Sequence, residues 1–231
     1  VKLVHKYPSW RIYYINWKIT MLDDDSAFIE EVMVEKAGNA LSKQLPAIFL
    51  VGPMGAGKTT IGKLLAKHLG RNFIDCDWYI VDQTGADIPW IFEKEGEEGF
   101  RDRETRALQE LTALPNIIMA TGGGAVGRTK NRELLKKGLV IYLDASVDTQ
   151  LARTKKDKNR PLLQAQNPRA VLESLYKKRH PLYREVADII ILTGRAYPKQ
   201  MIGEILEVLE NYALDHAPNK LKTDQHAKEN S

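Results

Sequence analysis

The clearest chemical pattern in this 231-residue chain lies in residues 52–59, which read Gly-Pro-Met-Gly-Ala-Gly-Lys-Thr. This segment, here called the phosphate-binding loop, fits G-x-x-x-x-G-K-[ST] at every fixed position. Glycines let backbone amides curl around phosphate oxygens, and the N-terminus of a following helix adds partial positive charge. Lys58 can reach the terminal phosphates, and the Thr59 hydroxyl suits Mg²⁺. The pattern predicts a nucleoside triphosphate site without specifying a reaction.

Two acids, Asp75 and Asp77, flank Cys76 at the end of a predicted strand. Alternate residues of a strand point to the same side, so both carboxylates are expected to face one cleft. One acid would assist a metal ion and the other would hold a substrate hydroxyl. A pair of solvated loop acids is the alternative. Cys76 has no evident activating partner, which favours a packing role.

Arg101 and Arg179 are candidates for holding a substrate carboxylate, because a guanidinium presents a planar fork of donors. Arg101 lies three residues from Glu104, on the same face of a predicted helix. A surface ion pair is therefore the alternative for Arg101. His180, beside Arg179, has no evident partner in the sequence and is predicted to be structural.

Gly122, Gly123 and Gly124, here called the glycine loop, directly follow a short apolar segment. They would bring bare backbone amides to the carboxyl end of a strand, where a small ligand can dock closely. If that strand lies beside the one before the phosphate-binding loop, the two loops adjoin. A flexible turn is the alternative.

Residues 153–163 form a basic segment with five bases and one acid. Next to a triphosphate site, this segment is predicted to be a flap that closes over phosphates. A solvated run of charge and an RNA contact are the alternatives.

Short apolar segments alternate with amphipathic ones along the chain, which predicts an α/β domain with a parallel sheet. Strands are predicted over 47–51, 73–75, 117–120, 140–143 and 189–192. Helices are predicted over 58–69, 87–95, 101–114, 131–137, 147–154, 168–179 and 201–212.

The composition excludes several classes of protein. One cysteine excludes a disulfide framework and a multi-cysteine metal site. No stretch approaches the roughly 18 apolar residues of a membrane span. The net charge of +4 is too small to indicate nucleic-acid binding unless it is concentrated locally.

The two ends are expected to lie outside the folded domain. Residues 1–46 are predicted to be a partly disordered N-terminal extension, with a short helix after Ser26. Residues 1–20 are basic and acid-free, which fits either a transit peptide or an upstream extension before Met21. A cytoplasmic location is the default expectation, with a plastid location as the alternative. Residues 213–231 are predicted to be a disordered tail.

Six segments in this order resemble those of shikimate kinases: GPMGAGKTT, DCD, EEGFRDRE, ATGGG, RPLL and RHPLYREVAD. The resemblance covers roughly residues 45–212. It implies an α/β P-loop NTPase fold of the nucleoside-monophosphate-kinase type, with a five-stranded parallel sheet of order 2-3-1-4-5 flanked by helices. The kinase domain would span 47–212, with a substrate-binding insert at about 77–106 and a lid at about 153–164.

The resemblance also implies a reaction, the transfer of the γ-phosphoryl group of ATP to the 3-hydroxyl of shikimate, in the chorismate pathway. The implied cofactor is Mg²⁺, and the implied partners are ATP and shikimate, with no nucleic-acid or membrane partner. The implied oligomeric state is a monomer. The implied ATP contacts are Gly55, Ala56, Gly57, Lys58, Thr59, Thr60, Arg153, Arg160 and Pro198, of which Arg153 and Pro198 would sandwich adenine. The implied shikimate contacts are Asp77, Arg101, Gly122, Gly123, Gly124 and Arg179. Thr59 and, through water, Asp75 would bind Mg²⁺, and catalysis would rest on Asp77, Lys58 and Arg160.

Three other functions remain open on the sequence. A gluconate kinase would share the phosphate-binding loop but need not share the two arginines or the glycine loop. A nucleotide-binding switch without catalysis is a second alternative, although the N-K-x-D pattern of GTPases is absent from the domain. A nucleic-acid binder, suggested by the basic segments, is the third.

Overall fold

The computed structural model describes residues 38, 40–155, 167–194 and 198–216, and its centre is a five-stranded parallel sheet. The strands are β1 (Ile48–Val51), β2 (Asn72–Asp75), β3 (Ile117–Ala120), β4 (Leu139–Asp144) and β5 (Ile189–Leu192). Their spatial order is β2-β3-β1-β4-β5, which confirms the order 2-3-1-4-5 implied by the resemblance.

Seven helices connect or follow these strands in the described ranges. They are α1 (Lys58–Leu69), α2 (Cys76–Thr84), α3 (Ile88–Leu111), α4 (Thr129–Leu135), α5 (Val147–Thr154), α6 (Pro168–Val186) and α7 (Pro198–His216). A 3₁₀ turn, Ala125–Gly127, follows the glycine loop.

Helices cover both faces of the sheet, which explains why the strand sequences are apolar at nearly every position. In β1, Ile48 and Leu50 pack with α1 and α7 in one core, whereas Phe49 and Val51 pack with α2, α3, α4 and α6 in a second. Alternate side chains of a strand point to opposite faces, so one short strand contributes to both cores.

The strand register places functional segments at one edge of the sheet. Leu50 of β1 pairs with Ala120 of β3 and with Ile141 of β4, so the carboxyl ends of these three strands lie side by side. Asp75 of β2 in turn pairs with Ala120. The phosphate-binding loop, the glycine loop and the start of α2 therefore leave the sheet at neighbouring positions, where ligands of open α/β folds bind.

The structure corrects the predictions for the insert, residues 77–106. The sequence analysis missed α2, which begins at Cys76 immediately after β2. Two helices were predicted, over 87–95 and 101–114, and α3 consists of two helical segments that meet at Gly96, whose backbone is not helical, with a φ of 71°. The first predicted end is therefore correct, whereas the second segment begins directly after Gly96 and ends at Leu111.

Two other helices extend beyond their predicted ends. Helix α6 continues through Pro181 to Val186, because apolar contacts of Tyr183 and Val186 with the core hold the last turns in place. Helix α7 reaches His216, four residues into the segment predicted as a disordered tail, and Ala213 within it is buried.

Several predictions lie outside the described residues. These are most of the N-terminal extension (residues 1–37), the lid from residue 156 onward, including Arg160, and the tail from residue 217. Across the part of the chain that the structure describes, no helix has the length and apolar character needed to cross a membrane.

Close packing of α1 on the sheet yields a stability prediction. A Cβ atom on buried Gly62 would overlap the ring of Phe73 and lie 3.1 Å from Cδ1 of Leu50. We expect Gly62→Ala to lower the free energy of unfolding by about 1–3 kcal/mol, measured by urea denaturation. Gly203→Ala in α7, where an added Cβ meets nothing within 4 Å, is the control and should be neutral or stabilising by up to about 1 kcal/mol. Equal effects of the two substitutions would contradict this account of the packing.

Candidate active site

The phosphate-binding loop has the backbone that its glycines permit. Gly55 and Gly57 adopt φ values of 73° and 96°, which side chains with a Cβ rarely tolerate. Lys58 Nζ donates hydrogen bonds to the carbonyl oxygens of Gly52, at 2.8 Å, and Pro53, at 2.9 Å. The ammonium group therefore lies across the loop, where it can also reach phosphate oxygens.

Thr59 and Asp75 come together across the gap between α1 and β2. Thr59 Oγ1 donates to Asp75 Oδ2 at 2.7 Å, and Asp75 Oδ1 accepts from the backbone amide of Asp77 at 3.1 Å. Asp75 thus caps α2 while it presents oxygen to the hydroxyl of Thr59. Hydroxyl and carboxylate oxygens are ligands that Mg²⁺ accepts, with the remaining positions left to phosphates and water. The described residues contain no cluster of three or more His, Cys, Asp or Glu side chains that could enclose a metal, so phosphate would have to complete such a site.

Asp77 lies in the first turn of α2 rather than in a strand, so the strand alternation invoked for Asp75 and Asp77 was wrong. The two carboxylates have different surroundings. Asp75 contacts Thr59, whereas Asp77 Oδ1 lies beside the glycine loop, 2.9 Å from where a Cβ on Gly122 would be. Both acids still line the same edge of the sheet, because α2 begins where β2 ends.

Glu104 lies beside the candidate site, and its burial was not predicted from the sequence. Its side chain is 0% exposed and pairs with Arg101, whose Nη1 lies 2.8 Å from Glu104 Oε2. The ion pair considered as the alternative for Arg101 is thus present, but its partner Glu104 is buried rather than on the surface; a second partner, Glu97 at 3.3 Å, is exposed. The signal lay in the helical spacing of apolar residues around Glu104, since Phe100, Ala107 and Leu108 are all buried on that face of α3. Burial raises the pKa of Glu104, and the charge of Arg101 acts in the opposite direction.

Each residue of the glycine loop touches a different part of the site. A Cβ on Gly122 would lie 2.6 Å from Glu104 Oε1, and one on Gly124 would overlap the guanidinium of Arg101. A Cβ on Gly123 would lie 3.5 Å from the backbone nitrogen of Met54, in the phosphate-binding loop. The predicted contact between the two loops is confirmed.

Arg179 reaches the glycine loop from the opposite side, on α6. Its Nη1 donates to the carbonyl oxygen of Gly123 at 3.1 Å, and the Tyr183 hydroxyl donates to the same oxygen at 2.5 Å. The two arginines predicted to hold a carboxylate, Arg101 and Arg179, therefore contact neighbouring residues of one loop.

His180 and Cys76 were both predicted to have structural roles, and the structure shows what surrounds each of them. No partner of His180 is evident in the sequence, but in the structure its Nδ1 lies 2.9 Å from the Tyr142 hydroxyl and its ring stacks on Tyr176, which agrees with the predicted structural role. The partner lies 38 positions away on β4, so adjacent sequence could not reveal it. Cys76 is fully buried, and burial raises the pKa of its thiol, which agrees with the packing role.

Arg153 joins the phosphate-binding loop to the segment after β5. Its Nη1 donates to the carbonyl oxygens of Gly55, at 3.1 Å, and Ala56, at 3.3 Å, while Nη2 donates to that of Gly194, at 3.0 Å. Pro198, the other residue predicted to contact adenine, is exposed at the start of α7.

The candidate site has two halves, which meet at the glycine loop. On one side are the phosphate-binding loop, Lys58 and the pair of Thr59 and Asp75. On the other side, Asp77 and the two arginines surround the glycine loop. Such a site can hold a triphosphate next to a small acceptor that carries both a hydroxyl and a carboxylate.

Comparison with known proteins gives consistent results. The family model described as shikimate kinase matches residues 54–210. The shikimate kinase of Psychrobacter sp. (strain PRwf-1) is 64% identical over 177 residues, which cover 76% of this chain and 98% of that protein. A solved structure of shikimate kinase from Acinetobacter baumannii in complex with shikimate is 52% identical, with a TM-score of 0.73, and the match covers 80% of this chain and 99% of that one.

A gluconokinase from Sinorhizobium meliloti 1021 is also similar in structure, with a TM-score of 0.51 and 15% identity over 73% of this chain and 94% of that one. At that identity the likeness concerns the fold alone.

Proposed function

Because this chain belongs to the shikimate kinase family, we propose that the glycine loop is where its two substrates, ATP and shikimate, meet. The chain is an ATP-dependent kinase that transfers the γ-phosphoryl group of ATP to the 3-hydroxyl of shikimate, giving shikimate 3-phosphate and ADP in the chorismate pathway. The observation that supports the placement of the substrates is the contact of Gly123 with both the phosphate-binding loop and Arg179.

On the nucleotide side, we assign the phosphates of ATP to Lys58 and to the loop residues Gly55, Ala56, Gly57, Thr59 and Thr60. Arg153 and Pro198 would lie on either side of adenine. The position of Arg153, bonded to carbonyls of the phosphate-binding loop, supports this assignment. Arg160, which lies outside the described residues, remains a predicted contact of the transferring phosphate.

The pair of Thr59 and Asp75 would hold Mg²⁺, directly through the hydroxyl and through water from the carboxylate. Its 2.7 Å hydrogen bond brings two hard oxygen ligands together beside the loop that binds phosphate. Bound Mg²⁺ neutralises charge on the phosphate oxygens.

On the acceptor side, Arg101 and Arg179 would hold the shikimate carboxylate, with the amides of Gly122, Gly123 and Gly124 assisting. Asp77 would hold the shikimate hydroxyls and orient or deprotonate the nucleophilic one. Phosphoryl transfer depends on position and charge more than on covalent chemistry. Because the glycine loop borders both halves of the site without side chains of its own, it leaves room for the close approach of the two substrates that in-line transfer requires.

We further propose that the enzyme acts as a monomer in the cytoplasm, without a nucleic-acid or membrane partner. A single cysteine that is buried and unpaired is typical of a reducing compartment.

The first test of the function is substrate-dependent release of ADP, measured with the full chain and with a version that starts at Met21. We expect turnover of ATP with shikimate and not with gluconate, because gluconate lacks the rigid ring that brings a carboxylate and a hydroxyl to opposite ends of the site. Equal turnover with both acceptors would contradict the assignment of the acceptor half. ATP binding without shikimate-dependent ADP release would instead indicate a nucleotide-binding switch.

Asp77→Asn tests the proposed proton acceptor. The amide keeps the size of the side chain but cannot take a proton, so we expect kcat to fall by roughly 100-fold or more while the Kd for ATP stays unchanged. Asp102→Asn, on the exposed side of α3, is the matched control and should retain activity. Unchanged turnover in Asp77→Asn would remove this residue from the mechanism.

Arg101→Lys tests the carboxylate clamp. Lysine keeps the charge but loses the planar fork, so we expect KM for shikimate to rise about tenfold while KM for ATP changes less than twofold. Arg103→Lys is the control, because Arg103 pairs with Glu95 on the same helix without facing the glycine loop. An equal loss for both substrates would indicate a structural role for Arg101.

A further inference from the structure

Arg179 lies in a turn of helix α6 that lacks one of the backbone hydrogen bonds of a regular helix. Pro181 lies inside the helix and has no amide hydrogen, so the carbonyl of Lys177 loses its usual helical donor. Arg179 projects from the turn between these two residues. Its orientation therefore depends more than usual on side chains that fix the turn from outside.

A hydrogen-bonded group on β4 provides such an attachment. The Tyr142 hydroxyl donates to Asp144 Oδ1 at 2.8 Å and lies 2.9 Å from His180 Nδ1. The Tyr176 hydroxyl donates to the same carboxylate at 3.2 Å, and its ring stacks on His180 with centroids 4.8 Å apart. Two residues of α6 on one side of Pro181 are thus fixed to the end of one strand.

The other side of Pro181 is fixed through Tyr183. Its ring stacks on Tyr142 with centroids 4.9 Å apart, and its hydroxyl donates to the Gly123 carbonyl. Tyr142 consequently touches α6 both before and after the proline, through His180 and through Tyr183. Arg179 lies between Tyr176 and His180, the two residues attached to β4 before the proline, and donates to the same carbonyl of Gly123.

The burial of Tyr142 indicates that its hydroxyl has a specific role. The side chain is 0% exposed, and a buried hydroxyl is unfavourable unless it is hydrogen-bonded. Phenylalanine would fill the same space without that requirement. Burial also raises the pKa of Tyr142, so the hydroxyl keeps the proton that it donates to Asp144. Hydrogen-bonded networks that are largely shielded from water, as this one is, favour one arrangement of the elements that they join.

We propose that Tyr142, with Asp144 and His180, is a positioning group that fixes the turn of α6 carrying Arg179 and so sets the affinity for the acceptor carboxylate. None of the three forms a hydrogen bond with the glycine loop, so they act through α6, whose Arg179 and Tyr183 do; the effect on the acceptor carboxylate is expected through Arg179. This inference rests on the proposed role of Arg179 in holding that carboxylate. It predicts an effect on binding of shikimate rather than on the chemical step, because a carboxylate held away from the reacting atoms is bound equally before and during transfer.

The test begins with Tyr142→Phe, assayed for the KM of each substrate and for kcat. We expect KM for shikimate to rise about tenfold, with KM for ATP and kcat within twofold of the original enzyme. Tyr79→Phe is the matched control, since it removes a hydroxyl that donates to a carboxylate, Glu110, away from α6. A purely structural role would change both KM values or kcat together and would overturn the proposal.

A pair of substitutions at His180 provides a second measurement that does not depend on folding of the first variant. Asn can place a side-chain nitrogen near Nδ1, whereas Phe keeps the stacking on Tyr176 without the hydrogen bond. We expect His180→Asn to retain most of the affinity for shikimate and His180→Phe to lose about as much as Tyr142→Phe. Equal affinity in both His180 variants would overturn the proposal.

A double-substitution cycle separates this inference from the proposed function. If Tyr142 acts through Arg179, then Tyr142→Phe should have no added effect on shikimate KM in an Arg179→Lys background. Effects that multiply would overturn the positioning role while leaving the carboxylate clamp intact. An unchanged shikimate KM in Arg179→Lys alone would overturn the clamp and, with it, the inference.

Discussion

A side chain at Gly122 or Gly124 would displace the charged groups that lie against the backbone of the glycine loop. The carboxylates of Asp77 and Glu104 lie close to Gly122, and the Arg101 guanidinium lies close to Gly124. The phosphate-binding loop packs against Gly123. Every functional group of the proposed acceptor site therefore takes its position from one stretch of bare main chain. Larger residues at Gly122 or Gly124 would move Asp77 or Arg101 from these positions, and in the proposed arrangement phosphoryl transfer would not tolerate such a displacement.

The sheet order makes this convergence possible. Strand β3 lies between β2 and β1, so the glycine loop leaves the sheet between Asp75 and the phosphate-binding loop. Parallel strands require long crossover connections, and the helices in those connections bring the insert and α6 to the same edge. Residues far apart in sequence, such as Asp77 and Arg179, then meet within a few ångströms of three glycines.

The structure could be predicted from the sequence where it is determined by residues close together along the chain. The phosphate-binding loop, α1 and the buried strands follow from glycine spacing and apolar runs, and the contact between the two loops followed from placing β3 beside β1. The surroundings of a side chain could not be predicted where they depend on residues far away along the chain. The pairing of His180 with Tyr142 and the burial of Glu104 arise from packing between elements, and neither is encoded in its neighbouring sequence. Asp77 shows a different failure, because a helix began one residue after the strand and changed which way its side chain points.

The two arginines contribute differently to the electrostatics of the acceptor site. Arg101 is already neutralised by buried Glu104, and this pairing is needed because an uncompensated buried guanidinium is very unfavourable. Among the described residues, no carboxylate oxygen lies within ion-pair distance of Arg179, which instead donates to the neutral carbonyl of Gly123. Arg179 thus keeps its positive charge at one end of the site, while Asp77 supplies negative charge near Gly122. An acceptor with a carboxylate and hydroxyls would be oriented by this asymmetry, so the accuracy of that orientation depends on how firmly α6 holds Arg179.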